Sequence, residues 1–171
     1  MDETAVVAQE RSILGWLGVL ARLITGGVWI WAGLDKISDP YGAVLAVRAY
    51  ELLPADIATV VGHVLPTLEI VVGVALVVGV LTRFTAVVSL LLFIAFIIGI
   101  SSVWARGILI DCGCFGGGGI DPDAASKYPW EIARDVALGL LSIFIFFFGN
   151  RRWSLDRLLF RSTTEFNEES S

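Results

Sequence analysis

Four apolar stretches, at positions 12–34, 57–81, 84–104 and 130–149, limit what this chain can fold into more than anything else in it. Each is 20 to 25 residues long, and a helix needs about 20 apolar residues to cross the hydrocarbon core of a bilayer. The first holds one charge, Arg22. The second holds His63 and Glu69, the third has no charge, and the fourth is charged only in its first two turns. Composition agrees: 56% of the 171 residues are hydrophobic, 17% are charged, and mean hydropathy is +0.80. A water-soluble domain of this size needs more charge to cover its surface. In lipid the backbone must satisfy its own hydrogen bonds, which runs of this length do as helices. The expected fold is all-α, an integral membrane antiparallel four-helix bundle over residues 12–149, with polar tails at 1–11 and 150–171.

The first stretch is longer than the core of a secretory leader and lacks a basic segment before it or a cleavage site behind it, so it reads as a retained helix. With the N-terminus inside, Arg11, Arg83, Arg151, Arg152, Arg157 and Arg161 face the cytoplasm, against Lys36, Arg48, Arg106 and Lys127 outside. Both termini are therefore expected in the cytoplasm. Residues 35–56 and 105–129 become the outer loops, the first with a short amphipathic helix over 43–53. The turn between the second and third spans falls at Thr82 and Arg83. A net charge of −5 without a basic cluster argues against nucleic acid as a partner. Two cysteines and one histidine are too few for a four-thiolate zinc or iron–sulfur centre, or for a haem held by two histidines.

Residues 110–119 read IDCGCFGGGG, with both cysteines of the chain, Cys112 and Cys114, two positions apart in the second outer loop. A disulfide needs Cα atoms about 4.4–6.8 Å apart, which residues this close meet only if Gly113 allows a tight bend. Such a bond closes too short a loop to stabilise much, and a strained, exposed disulfide exchanges readily. Two other readings stay open. The cysteines are reduced and packed at the helix ends, or they join His63 in a dimer as a copper(I) site, which needs three ligands from distant loops. Arg106 and Lys127 flank the loop and Asp111 adjoins Cys112, an arrangement that favours Cys114 as the thiolate.

Ionisable groups inside a bilayer face the bundle interior and pair. Counted from the outer ends of their spans, Arg22 and Glu69 lie at equal depth, each about 18 Å down, which allows them to pair. Arg134 and Asp135 then join Lys36 and His63 in a shallower polar layer, and Pro66 is placed to kink the second span beside Glu69. A structural ion-pair network and a proton or substrate path both fit these positions.

The polar landmarks run Gly33, Lys36, Tyr50, Leu53-Pro54, Pro66, Glu69, Gly73, Arg83, Arg106-Gly107, Asp111-Cys112-Gly113-Cys114-Phe115-Gly116, Trp130 and Arg134-Asp135. Over most of the membrane part this order resembles the MauE branch of the DoxX-like membrane proteins. The Cys-Gly-Cys element combined with Trp130, Arg134 and Asp135 is its most specific part. The resemblance implies a four-helix protein of the bacterial inner membrane that works with a thioredoxin-like extracytoplasmic partner in maturing a disulfide-rich enzyme of methylamine utilisation. DoxX-like relatives are also tied to quinol oxidation and redox complexes. Two functions follow as expectations. One is thiol–disulfide exchange at Cys112 and Cys114, coupled to a quinone held near His63, Glu69 and Arg134. The other is a non-enzymatic subunit that anchors or assembles a respiratory or redox-maturation complex.

Overall fold

The computed structural model describes residues 3–113 and 119–149. They form five helices: α1 (Glu3–Ser38), α2 (Pro40–Ala49), α3 (Ala55–Val78), α4 (Thr82–Arg106) and α5 (Ala124–Phe148). Among the described residues three segments are long and apolar enough to cross a membrane, Ile13–Ser38 within α1, Ala55–Val78 and Thr82–Arg106. The fourth expected span lies in α5, which begins at Ala124 and carries Lys127, Glu131, Arg134 and Asp135 in its first half. Helix α1 extends back to Glu3, well before the expected start at position 12.

Local chemistry accounts for the shifted boundaries. Helix α2 starts at Pro40 because the Asp39 carboxylate accepts a hydrogen bond from Gly42 N at 2.9 Å and proline suits the first helical position. It ends before Tyr50, and its small residues Gly42, Ala43, Val44 and Ala46 are buried. Between α3 and α4 the chain turns at 79–81, ahead of the expected Thr82 and Arg83. Gly79 takes a left-handed φ of 78° and donates to Ala75 O at 2.8 Å, so Thr82 already opens α4. Helix α3 runs through Pro66 from Ala55 to Val78.

Helices α1 and α3 pack closely. A Cβ on Gly73 would stand 2.7 Å from Gly26 O and 2.9 Å from Ile30 N, and one on Gly33 would stand 2.7 Å from Pro66 O. Small residues let helix backbones approach in this way where lipid supplies no hydrophobic drive between helices. Helix α5 packs on both α1 and α4, and α3 contacts α4. Their shared core holds Ala21, Trp29, Val72, Leu76, Phe93, Leu138 and Ile145. Trp29 Nε1 donates to Ser89 Oγ at 2.8 Å, and Ser89 Oγ lies 2.9 Å from Ser142 Oγ, a buried polar link across α1, α4 and α5. The outer faces carry Trp16, Trp31, Val71, Phe84, Leu91, Ile98, Leu140 and Phe147, all exposed. An apolar surface this extensive suits a lipid environment.

The α1–α3 spacing predicts an asymmetry between two glycines. Gly73→Ala drives a methyl group into the α1 backbone and should destabilise by about 1–3 kcal/mol. Gly27→Ala enters space with nothing within 4 Å and should be neutral or slightly stabilising. Thermal melting of both variants in detergent checks this; matching midpoints would show that the glycine contact does not set the helix spacing.

Candidate functional site

Helix α4 ends in a Schellman turn, with Gly107 N donating to Trp104 O at 3.1 Å and Ile108 N to Val103 O at 3.0 Å. The chain then forms an isolated antiparallel bridge between Ile110 and Ile120. Asp111 N donates to Gly119 O at 3.0 Å and Asp121 N to Leu109 O at 3.2 Å, which closes the base of the loop carrying Cys112. Two tyrosines hold it against the helices. Tyr50 Oη donates to Cys112 O at 2.7 Å. Tyr128 Oη accepts from Ile110 N at 3.1 Å and lies 2.8 Å from Ile108 O and 2.9 Å from Ile110 O.

Gly113 takes a left-handed φ of 63°, and its N–H donates to Asp111 Oδ1 at 2.9 Å. Cys112 is 6% exposed and packs among Ile100, Val103, Ile110, Ala124 and Tyr128. Its thiol hydrogen-bonds the Glu131 carboxylate of α5. Cys114 lies outside the described residues, and the expected Cys112–Cys114 pair lies outside them as well. The cations expected beside the thiols have other partners. Arg106 donates to Tyr50 O and stands 3.7 Å from Glu51, and Lys127 pairs with Asp121 at 2.5 Å. The hydrogen bond from Lys127 holds the Asp121 carboxyl below the usual carboxylate range and raises the Lys127 ammonium in turn.

Deeper in the helices, Lys36 Nζ donates to both oxygens of Glu69, at 2.8 and 2.9 Å, with the two side chains 5% and 0% exposed. The same ammonium stands 5.5 Å from the centroid of the Phe96 ring. This corrects the expected Arg22–Glu69 pair. The depth comparison set Leu34 level with Ile57, but the glycine contacts place residue 33 beside residues 66–70 and residue 26 beside residue 73. In that register Arg22 reaches the end of α3. It donates from Nε to Leu76 O at 2.8 Å, from Nη2 to Val77 O at 3.2 Å, and from Nη1 to Gly149 O at 3.3 Å. Its guanidinium thereby satisfies carbonyls that a helix end would otherwise leave without partners. Gly79 makes room, since a Cβ there would collide with that guanidinium.

Asp135, 2% exposed, accepts from Arg134 Nε and Nη2 at 3.0 and 2.9 Å on Oδ1, and it also experiences the Lys36 charge. Its Oδ2 is buried with no hydrogen-bond partner among the described residues. His63 does not join this group: it is exposed on α3, with Nδ1 2.8 Å from Thr59 O. Of the three residues expected to hold a cofactor, Glu69 pairs with Lys36 and Arg134 with Asp135, and His63 stands apart. An apolar groove of about 300 Å³ between α2, α3 and α4 has both Tyr50 and Phe96 in its wall, beside Leu53, Leu65 and Gly99. Sequence reasoning did not single out Tyr50, Tyr128 or Glu131 as members of the site. One signal was present. Tyr128, Glu131 and Asp135 are spaced three and four apart, which puts them on one face of α5.

Replacing Glu69 with Ala leaves the Lys36 ammonium buried without its carboxylate, an expected loss of about 3–5 kcal/mol. Glu69→Gln should be milder, and the double variant Lys36→Met/Glu69→Leu should recover much of the loss. Melting in detergent reads all three; a Glu69→Ala protein that melts like its parent would contradict the buried pair.

Residues 14–148 match the family described as methylamine utilisation protein MauE. No curated protein and no solved structure gives a match. The matched stretch takes in α2, α3, α4, α5, most of α1 and the loop that bears Cys112. It agrees with the resemblance carried by the Cys-Gly-Cys, Trp130 and Arg134-Asp135 landmarks, and the chain belongs to the MauE family.

Proposed function

We propose that the protein is a thiol–disulfide relay of the bacterial inner membrane, in which Cys112 and Cys114 exchange with a thioredoxin-like protein on the outer side. The observation that carries this reading is the seating of Cys112. The residue is buried at the end of the helices and clamped through its carbonyl by Tyr50. Its thiol meets a carboxylate, and the next residue, Gly113, is bent in a left-handed conformation. A cysteine kept only as a small core residue needs no carboxylate partner. The burial of Cys112 suits a resolving thiol, which leaves Cys114 as the sulfur that meets the partner.

In this reading α5 is the fourth crossing and closes an antiparallel four-helix bundle, with both termini in the cytoplasm. The apolar groove beside Tyr50 and Phe96 offers space for a quinone ring, between the cysteine loop and the Lys36–Glu69 pair. Electrons would pass directly between the single cysteine pair and that quinone.

Removing the resolving thiol should trap the mixed disulfide. Cys112→Ser is expected to accumulate a covalent adduct with a thioredoxin-like protein, visible on a non-reducing gel and lost with reductant. A membrane-impermeant maleimide should label the reduced cysteines in intact cells. No adduct from either single cysteine variant, with function retained in the double variant, would leave the protein as a non-enzymatic subunit of a redox complex. Labelling only after lysis would place the loop on the cytoplasmic side.

A further inference from the structure

The Cys112 thiol is sealed among Ile100, Val103, Ile110 and Tyr128, yet exchange requires its thiolate. A thiol so placed ionises only if its proton has somewhere to go. A carboxylate is in reach: the thiol hydrogen-bonds Glu131, one helical turn from Tyr128 on the same face of α5. Glu131 Oε2 is itself buried and has no hydrogen-bond partner among the described residues. A buried carboxylate oxygen without a donor costs free energy, and gaining a proton relieves that cost. Asp121 and Asp111 in the same region differ, because each already accepts from a lysine or a backbone N–H.

We infer that Glu131 is the proton acceptor for the Cys112 thiol and so a catalytic residue of the exchange reaction. This assignment rests on the relay reading. The Cys112 S–H proton moves to the Glu131 carboxylate as the sulfur attacks the mixed disulfide formed with the partner. The Cys112 sulfur supplies the electron pair of the new S–S bond. The pair of the broken S–S bond leaves on the departing thiolate, which takes a proton from water. In the reverse direction the Glu131 carboxylic acid returns the proton to Cys112.

The charges around Glu131 fit this role. Arg134 of α5 favours its ionised form before the reaction, while Asp111 of the loop and Asp135 of α5 oppose it; among the described residues Tyr128 and Cys112 also face it. Asp135 accepts two hydrogen bonds from Arg134 on a single oxygen and so acts as a positioning residue for that cation.

The test uses the full chain in detergent with Cys114→Ser, which leaves Cys112 as the one thiol. Its rate of reaction with dithiodipyridine, a small aromatic disulfide, is followed from acid to alkaline pH. With Glu131 in place the profile should show a carboxyl inflection below the thiol inflection. Glu131→Gln should remove that lower limb and slow the reaction at neutral pH by about a hundredfold, and Glu131→Asp should restore part of both. Superimposable profiles with and without the Glu131→Gln change would overturn the assignment. Where Glu131→Gln does not accumulate, a Glu131 profile with only the alkaline inflection overturns it equally. The carboxyl limb without any adduct from single cysteine variants in membranes would sink the relay and keep the Glu131–Cys112 proton transfer; adducts without the limb would do the reverse.

Discussion

The close approach of α1 and α3 decides where Arg22, Lys36 and Glu69 come to rest. Gly26 against Gly73, and Gly33 against Pro66 and Ile70, bring the two backbones near contact and set their register. Side chains on a helix lean toward its N-terminus, so on antiparallel helices Lys36 leans one way and Glu69 the other. They meet between their own Cα levels, with both carboxylate oxygens on one ammonium. The same register carries Arg22 to the carbonyls of Leu76 and Val77. A shift of α1 along α3 would strand two cations and a carboxylate at once.

Arg22, Tyr50 and Tyr128 solve one problem in three places. Helix ends and irregular backbone leave carbonyls and N–H groups that lipid cannot satisfy. Arg22 answers this at the ends of α3 and α5. At the opposite end of α3, Tyr50 holds the carbonyl of Cys112, and Tyr128 holds both backbone groups of Ile110. The two tyrosines therefore fix the backbone that carries Cys112 while they pack against the helices. The base of the Cys112 loop is held by both of them.

Helix α5 joins that loop to the interior. Glu131 touches the Cys112 thiol, Arg134 and Asp135 follow one turn on, and Asp135 experiences the charge of Lys36, which is bound to Glu69. Ionisable groups are thus spread from the Cys112 loop into the helix core. Their presence in the first half of α5 sets this helix apart from the three segments long and apolar enough to cross a membrane.

Helicity, the fit of the long helices to lipid, and the Cys-Gly-Cys sequence itself were all readable along the chain. Span length and the pairing of Cys112 with Gly113 are local properties, so residue order alone carries them. Helix ends were legible only nearby, because caps such as Asp39 and Gly79 shift them by a few residues. Which cation meets which carboxylate depends on packing between helices. Arg22 and Lys36 are equally plausible partners for Glu69 until the glycine contacts fix how far α1 slides along α3, and His63 turns outward by the same helical phase. The meeting of Cys112 with Glu131 is a long-range contact between a loop and a helix face. No spacing along the chain encodes it, since only the fold of the loop back over α5, pinned by Tyr128, brings the two side chains together.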